Sequence, residues 1–307
     1  MKTYDILVAG EINPDLILTG DVLPAFGQIE KLVDAADLTI GSSSAIFACG
    51  AARLGLKVGF IGVCGADVFG SFMLDEMTKR GVDVSAVHVD PARQTGLSVL
   101  LNRGSDRAIL THPGCIGDLR AEDVTDDLLR QSRHLHVASY FLQTGLKPGL
   151  PDLFRRARSL GLTISFDTNW DPSGRWIGIH ELLPFTDVFL PNENEAIAIS
   201  QARTVGQALK RLGQRVATVA IKRGAQGALA CRGAETASVC ALSGDVVDTV
   251  GAGDTFDAGF VYGFLNGWSL EKALWLAAVC GSLSTRAAGG TASQPTLEEA
   301  TRHVPPC

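Results

Sequence analysis

Asp248-Thr249-Val250-Gly251-Ala252-Gly253-Asp254-Thr255-Phe256-Asp257-Ala258-Gly259-Phe260 is the stretch from which the rest of the chain can be read. Gly251 and Gly253 free the backbone to turn sharply, and a helical run from about Thr255 to Leu265 follows at once. Several unpaired N–H groups should therefore point out of the turn and make a cradle for an anion. Asp254 lies inside that cradle, where its carboxylate repels a bound phosphate unless it takes a proton from something attacking that phosphate. A loop that holds a phosphoryl group and offers a base points to phosphoryl transfer to an alcohol. A Gly-rich turn whose Asp only complements the helix dipole fits the same residues, so the wider chain has to decide.

The chain has 307 residues, 46% hydrophobic and 20% charged, enough to bury a large core in one large α/β domain or two smaller ones. Its net charge of -6 argues against nucleic acid as the main partner, because a surface that tracks phosphates carries excess Lys and Arg. Cys49, Cys64, Cys115, Cys231, Cys240, Cys280 and Cys307 form no CxxC pair and stand near no His at ligand spacing. The expectation is a reduced, cytoplasmic protein without structural zinc. The first apolar run, Ile6–Ala9, is too short for a signal segment or a membrane span and reads as a buried strand; no membrane partner is expected.

Apolar strand-like runs recur at Ile6–Ala9, Val58–Val63, Leu135–Ala138, Thr163–Phe166, Val188–Leu190 and Val216–Ile221, with helical segments such as Ser44–Leu54 and Phe69–Arg80 between them. This alternation predicts an α/β fold with a doubly wound, mostly parallel sheet and helices on both faces. The stretches at about 16–40 and 95–111 fit neither long helices nor buried parallel strands. They read as a small β-sheet inserted into a single domain that spans residues 1–307.

Several segments place polar residues where strands end, and open α/β sheets bind ligands at that edge. Asn13 and Asp15 follow the first strand; their side chains suit hydroxyl groups, or make an Asx turn around Pro14. Asn192 with Glu195 three residues on has the spacing of a helix capping box. Lys222, Gly224 and Gly227 lie at a strand-to-turn junction that also fits a plain hairpin.

The opening stretch resembles the C-terminal signature of the PfkB (ribokinase-like) family of carbohydrate kinases, D-T-x-G-A-G-D-x-F-x-A-G, and supplies every letter from Asp248 to Gly259. A second region, from Gly41 through Ala51-Ala52-Arg53-Leu54-Gly55 to Gly62, Gly65, Asp67 and Gly70, is similar to the N-terminal signature in degraded form. The resemblance extends from about Asp5 to Pro295. It implies an ATP- and Mg²⁺-dependent kinase of a primary hydroxyl on a small sugar or sugar acid, with Asp254 as general base and Gly251, Ala252 and Gly253 as anion hole. It further implies that Asp15, Asn13, Gly41, Ser42 and Asn169 hold the acceptor. Asn192 and Glu195 then order Mg²⁺ through water, both for the cap and for the ion. Lys222, Gly224 and Gly227 fall on the nucleotide side, and Gly281, in the apolar segment Ala277–Ala288, in the adenine-pocket wall. Asp248 and Val250 match a carbonyl-rich loop where many members hold a monovalent cation such as K⁺. The inserted sheet matches a lid over the sugar that often forms a homodimer surface. A nucleoside kinase, with an apolar or aromatic slot for the base, is the alternative reading. A non-catalytic sugar-binding regulator is a further one, against which the intact Asp254 and its Gly-rich loop weigh.

Two departures from the family pattern stand out. Ser42 replaces the second Gly of G-G-x-x-x-N-x-A and Ile46 replaces the Asn that pairs with substrate hydroxyls. If Ile46 faces the acceptor, the acceptor should lack a hydroxyl there; if it is core, Ser42, Ser43 and Ser44 are left to supply the lost hydrogen bonds. The D-x-N-x-R segment of the family is matched by Asp167 and Asn169, with a longer spacing before Arg175. That stretch reads as a surface turn around Pro172–Gly174. A Val at Gly253 is expected to obstruct both the turn and the approach of phosphate.

Overall fold

The computed structural model describes residues 2–103 and 106–304. From the N-terminus, β1 (Tyr4–Ala9), β2 (Pro14–Thr19) and β3 (Ala35–Ile40) lead to α1 (Ser43–Arg53), β4 (Val58–Ile61), β5 (Val63–Gly65) and α2 (Val68–Lys79). Four strands follow: β6 (Val82–Asp83), β7 (His88–Asp90), β8 (Leu97–Arg103) and β9 (Asp106–His112). The middle of the chain runs through α3 (Asp126–Arg130), β10 (Ser132–Val137), α4 (Leu150–Ser159), β11 (Thr163–Phe166), α5 (Ile179–Leu182) and β12 (Val188–Phe189). It continues with α6 (Glu193–Ser200), α7 (Val205–Gly213), β13 (Thr218–Lys222), β14 (Ala228–Arg232) and β15 (Glu235–Val239). The C-terminal part is helical: α8 (Ala252–Leu265), α9 (Leu270–Ser284) and α10 (Leu297–Thr301).

Ile6, Leu7, Val8 and Ala9 of β1 are all fully buried, as expected for a strand covered on both faces. β1 sits between β10 and β4 in a nine-stranded sheet of order β15-β14-β13-β12-β11-β10-β1-β4-β6. Pairing is parallel from β13 through β6, and β13, β14 and β15 close one end as antiparallel neighbours. One face packs against α1, α2, α8 and α9, the other against α3 to α7. The amphipathic pattern is plain in α4, where Leu150, Leu153, Phe154 and Ala157 turn inward at helical spacing. The expected doubly wound architecture is therefore present.

The inserted segments form a four-stranded sheet of order β3-β2-β8-β9. Ile17 of β2 and Leu100 of β8 pack against Val250, so one face of this lid rests on the Gly-rich loop. Two expectations need correction. α8 starts at Ala252 rather than near Thr255, because Gly251 already turns the chain with φ 69° and serves as its N-cap. The apolar segment 277–288, expected as a helix, is helical only to Ser284, in a helix that runs over Leu270–Ser284, since Ser269 caps Lys272 N and the charged Glu271 and Lys272 open its first turn. Among the described residues no helix is long and apolar enough to cross a membrane.

Candidate active site

The Gly-rich turn lies at the N-terminus of α8, with its first amides directed away from the helix body. Gly251 has no room for a side chain: an added Cβ would lie 2.7 Å from Gly290 Cα and 2.9 Å from Ile46 Cγ2. At Gly253 the nearest atom to such a Cβ would be Lys222 Cδ at 3.6 Å, an ordinary contact. The steric demand of the turn therefore falls on Gly251, and Gly253 needs its missing side chain only on the side open to a ligand.

Asp254, in the first turn of α8, is 9% exposed. Burial pushes its carboxyl up to about 7, Asp167 and Glu11 add to the rise, and Lys222 and the Ser43 hydroxyl oppose it. A base that titrates near neutrality suits removal of a proton from an alcohol as it attacks.

Glu11 is a residue that sequence reasoning missed. It lies two residues beyond the end of β1 and is 2% exposed, with Oε1 and Oε2 accepting from Ser42 Oγ at 3.1 Å, Ser44 Oγ at 2.6 Å, Ser44 N at 3.2 Å and Ser139 Oγ at 2.8 Å. Its signal was an acidic side chain one glycine past a buried strand. The serine run is thus engaged: Ser42 and Ser44 hold Glu11, Ser42 caps Ala45 N, and Ser43 Oγ accepts from Asn169 Nδ2 at 2.9 Å. Asn169 Oδ1 in turn accepts from Ser139 N at 2.7 Å. Ser42, Ser139 and Asn169 have φ of 64°, 52° and 51°, left-handed conformations that non-Gly residues adopt when the surroundings impose them. Three such residues joined by hydrogen bonds beside one carboxylate make a preorganised polar wall.

Asp15 and Gly41 touch closely, since a Cβ on Gly41 would lie 2.2 Å from Asp15 Oδ1. Burial pushes Asp15 up to about 7, against the pull of Arg107. Asn13 Nδ2 donates to Ser98 Oγ at 3.4 Å, tying the segment between β1 and β2 to β8 of the lid. Arg107 of β9 reaches Asp248 Oδ1 at 3.5 Å and Thr249 Oγ1 at 3.4 Å, a contact with no signal in the local sequence. Asp248 also accepts from Val250 N and Gly289 N, each at 3.0 Å, which draws the two loops together. Ile46 is 3% exposed and its methyls lie against Gly251 and Gly290, so it fills the space beneath the turn and offers an acceptor almost no surface.

At the start of α6, Asn192 and Glu195 form a reciprocal capping box: Glu195 N donates to Asn192 Oδ1 at 3.0 Å and Asn192 N to Glu195 Oε2 at 2.9 Å. Glu195 is 3% exposed, and burial followed by the charge of Asp167 pushes it up to about 7. Burial and a neighbouring acid both penalise the charge on Glu195, and a bound cation would relieve that penalty. Lys222 is turned inward, between Asp167 and Asp257. Gly227 has φ 83° and a Cβ there would lie 1.9 Å from Val239 O, which is the requirement of the β13–β14 hairpin; Gly224 has nothing within 4 Å. Gly281 is buried where α9 meets α8, 2.9 Å from Ala252 O measured from an added Cβ. Arg175 is exposed in the anticipated surface turn, which the Asp171 carboxylate organises by accepting from Ser173 N, Arg175 N and Trp176 N.

A buried Asp at the mouth of a Gly-rich helix N-terminus, at the C-terminal edge of a parallel sheet and under a β-lid, defines a phosphotransferase site of the ribokinase-like class. The chain belongs to the pfkB family of carbohydrate kinases, whose family model matches residues 4–297, and is an ATP-dependent carbohydrate kinase. It is similar to a 2-dehydro-3-deoxygluconokinase of Bacillus subtilis, 32% identical over 82% of each chain. It is also similar to an ATP-dependent ribose-1-phosphate kinase of Halopiger xanaduensis, 30% identical over 95% of each. Among solved structures it matches an E. coli protein assigned as ribokinase II, in complex with ATP and Mg²⁺. That match has a TM-score of 0.87 at 25% identity and covers 98% of this chain and 99% of the other.

Proposed function

We propose that this chain transfers the γ-phosphoryl group of ATP to a primary hydroxyl of a small sugar or sugar acid, with Asp254 as the general base. The observation that carries the reading is the placement of a buried, near-neutral carboxyl directly beside the amides of Gly251, Ala252 and Gly253. In this mechanism Asp15, Asn13, Gly41, Ser42 and Asn169 hold the acceptor so that its hydroxyl lies against Asp254. Asp254 takes the hydroxyl proton as the oxygen attacks, and the turn amides stabilise the charge on the transferring group. Bound Mg²⁺, held through water by Asn192 and Glu195, would supply charge neutralisation at the phosphates. A monovalent cation would be held by backbone oxygens of the Asp248–Val250 loop, because the Asp248 carboxylate is already engaged. The whole chain acts as one kinase domain.

Deoxy sugar acids are the first acceptors to try, since several similar proteins are deoxygluconokinases. A nucleoside acceptor is the second reading, favoured by Trp170, which follows Asn169, is 62% exposed and meets Trp176 edge-on at 5.6 Å. ADP release would be measured with Mg²⁺-ATP across 2-keto-3-deoxy acids, ribose, fructose and nucleosides. Turnover of a sugar acid supports the first reading and turnover restricted to nucleosides the second; no turnover of any hydroxylated acceptor rules out both. With the best acceptor, kcat/KM is expected to be level above pH 7 and to fall as the pH drops through about 7. The raised Asp254 pKa means that the base is protonated below that value.

The lid exposes Leu23, Phe26, Leu32 and Ile109, at 59%, 95%, 84% and 55%. Such an apolar surface is costly in water, and a second copy of the chain would cover it. Sedimentation equilibrium is expected to show a dimer that Phe26→Asp weakens; a wild-type monomer at tens of micromolar would refute this.

A further inference from the structure

Lys222 closes β13, and its Nζ lies 2.7 Å from Asp167 Oδ2 and 2.9 Å from Asp257 Oδ2. Carboxylate oxygens of Asp167, Asp254 and Asp257 all lie within 4.8 Å of one another. Four charged side chains, from β13, the loop after β11 and two positions of α8, thus meet in one buried knot. The knot lies directly under the anion cradle: a Cβ on Gly253 would be 3.7 Å from Lys222 Nζ. Position 257 is a free letter of the family signature, so the signature itself does not require this arrangement.

Packing alone gives a poor account of the knot. Buried ion pairs and triads are often matched or surpassed in stability by apolar side chains of the same volume. Asp257 Oδ1 moreover has no hydrogen-bond partner among the described residues, a further cost in a site selected only for stability. Among the described residues, the charged groups facing Asp254 are Asp167, Glu11 and Asp257, all acids, and Lys222, with Glu195 beyond Asp167. Lys222 is the one cation among them. Without it, Asp254 would sit among acids only, and a carboxyl in that position holds its proton.

We propose that Lys222, fixed by Asp167 and Asp257, is a positioning residue whose charge favours the ionised form of Asp254 and adds positive field beneath the transferring phosphoryl group. The proposal rests on Asp254 being the base. Two carboxylates clamp the ammonium and hold its proton more firmly than usual, so its charge does not vary across the working pH range. Lys222 needs no contact with the nucleotide for this role, in contrast to the phosphate-side role implied by the family resemblance.

The test is the pH dependence of kcat/KM between pH 5 and 9 for the wild type, Lys222→Met, Lys222→Arg and Asp167→Asn, with KM for ATP measured at pH 8. Lys222→Met should move the acid-limb midpoint up by about one pH unit or more and lower kcat at pH 7 at least about tenfold, with KM for ATP within about threefold of wild type. Asp167→Asn removes the acid that most raises Asp254 and should move the midpoint down, while Lys222→Arg should keep it near the wild-type value. Opposite movements of one midpoint are not produced by loosened packing, which lowers activity at every pH alike. An unmoved midpoint in Lys222→Met, or a raised KM for ATP as its only defect, overturns the proposal. Should Lys222→Met fail to fold, a midpoint that does not fall in Asp167→Asn overturns it instead. Asp254→Asn separates the two levels: if that variant stays active, the base assignment fails, and if it is inactive while the midpoints do not move, only the role of Lys222 fails.

Discussion

Asp254→Asn is expected to fold like the wild type and to lose phosphoryl transfer by ~10²–10⁴-fold, the usual contribution of a positioned general base. The amide keeps the shape of the side chain and removes a carboxyl that burial holds near neutrality, so the exchange relieves rather than adds electrostatic cost in the folded state. KM for ATP should change little, because the turn amides that hold the phosphate belong to the backbone of Gly251, Ala252 and Gly253. The acid limb of the residual activity should also lose its midpoint near pH 7. Single-turnover rates with saturating Mg²⁺-ATP and the best acceptor give the chemical step directly. A residual rate above about a tenth of wild type would remove Asp254 from the mechanism.

Gly251→Val should damage both folding and function. The position has φ 69°, which a β-branched residue adopts only at a cost of about 1–2 kcal/mol. The new Cβ would meet Gly290 Cα at 2.7 Å and Ile46 Cγ2 at 2.9 Å. One of these is backbone that cannot swing aside, and overpacking of this kind adds about 1–3 kcal/mol. The combined loss should lower Tm by roughly 3–8 °C for a chain of this size and abolish measurable ATP binding, because the amides lose their direction. Gly253→Ala is the control: its Cβ meets nothing closer than 3.6 Å, so Tm should stay within about 2 °C of wild type while ATP binding weakens. Differential scanning calorimetry and isothermal titration would read both quantities. A Gly251→Val variant with wild-type Tm and ATP affinity would show that the turn has another conformation.

Much of the fold was legible because its signals are local. A run such as Ile6–Ala9 with no polar face belongs in a covered parallel strand, and the glycines at 251 and 253 ahead of an apolar segment mark a sharp turn into a helix. Asp254 could be singled out for the same reason: its place in the turn follows from spacing along one helix. Local signals also had local errors. Gly251 and Gly253 look equivalent in sequence, and only the approach of the Gly290 backbone and of Ile46 makes one intolerant of a side chain and leaves the other open.

The partners of the site residues were settled by tertiary structure alone, since they are side chains distant in sequence that meet at the sheet edge. Lys222 stands at the end of a strand, where the resemblance placed a nucleotide contact. Its actual partners, Asp167 and Asp257, lie 55 and 35 residues away and became visible only once β11, β13 and α8 were packed. Ile46 looked like a statement about the acceptor, whereas the close packing of α1 against the Gly251 turn makes it a support of that turn. Glu11 and the three serines show the same physics: a buried carboxylate must be satisfied, and which donors satisfy it depends on which loops the sheet brings together. Periodicity and turn chemistry determine elements one by one; the charge and hydrogen-bond environment of Asp254 is a property of their packing.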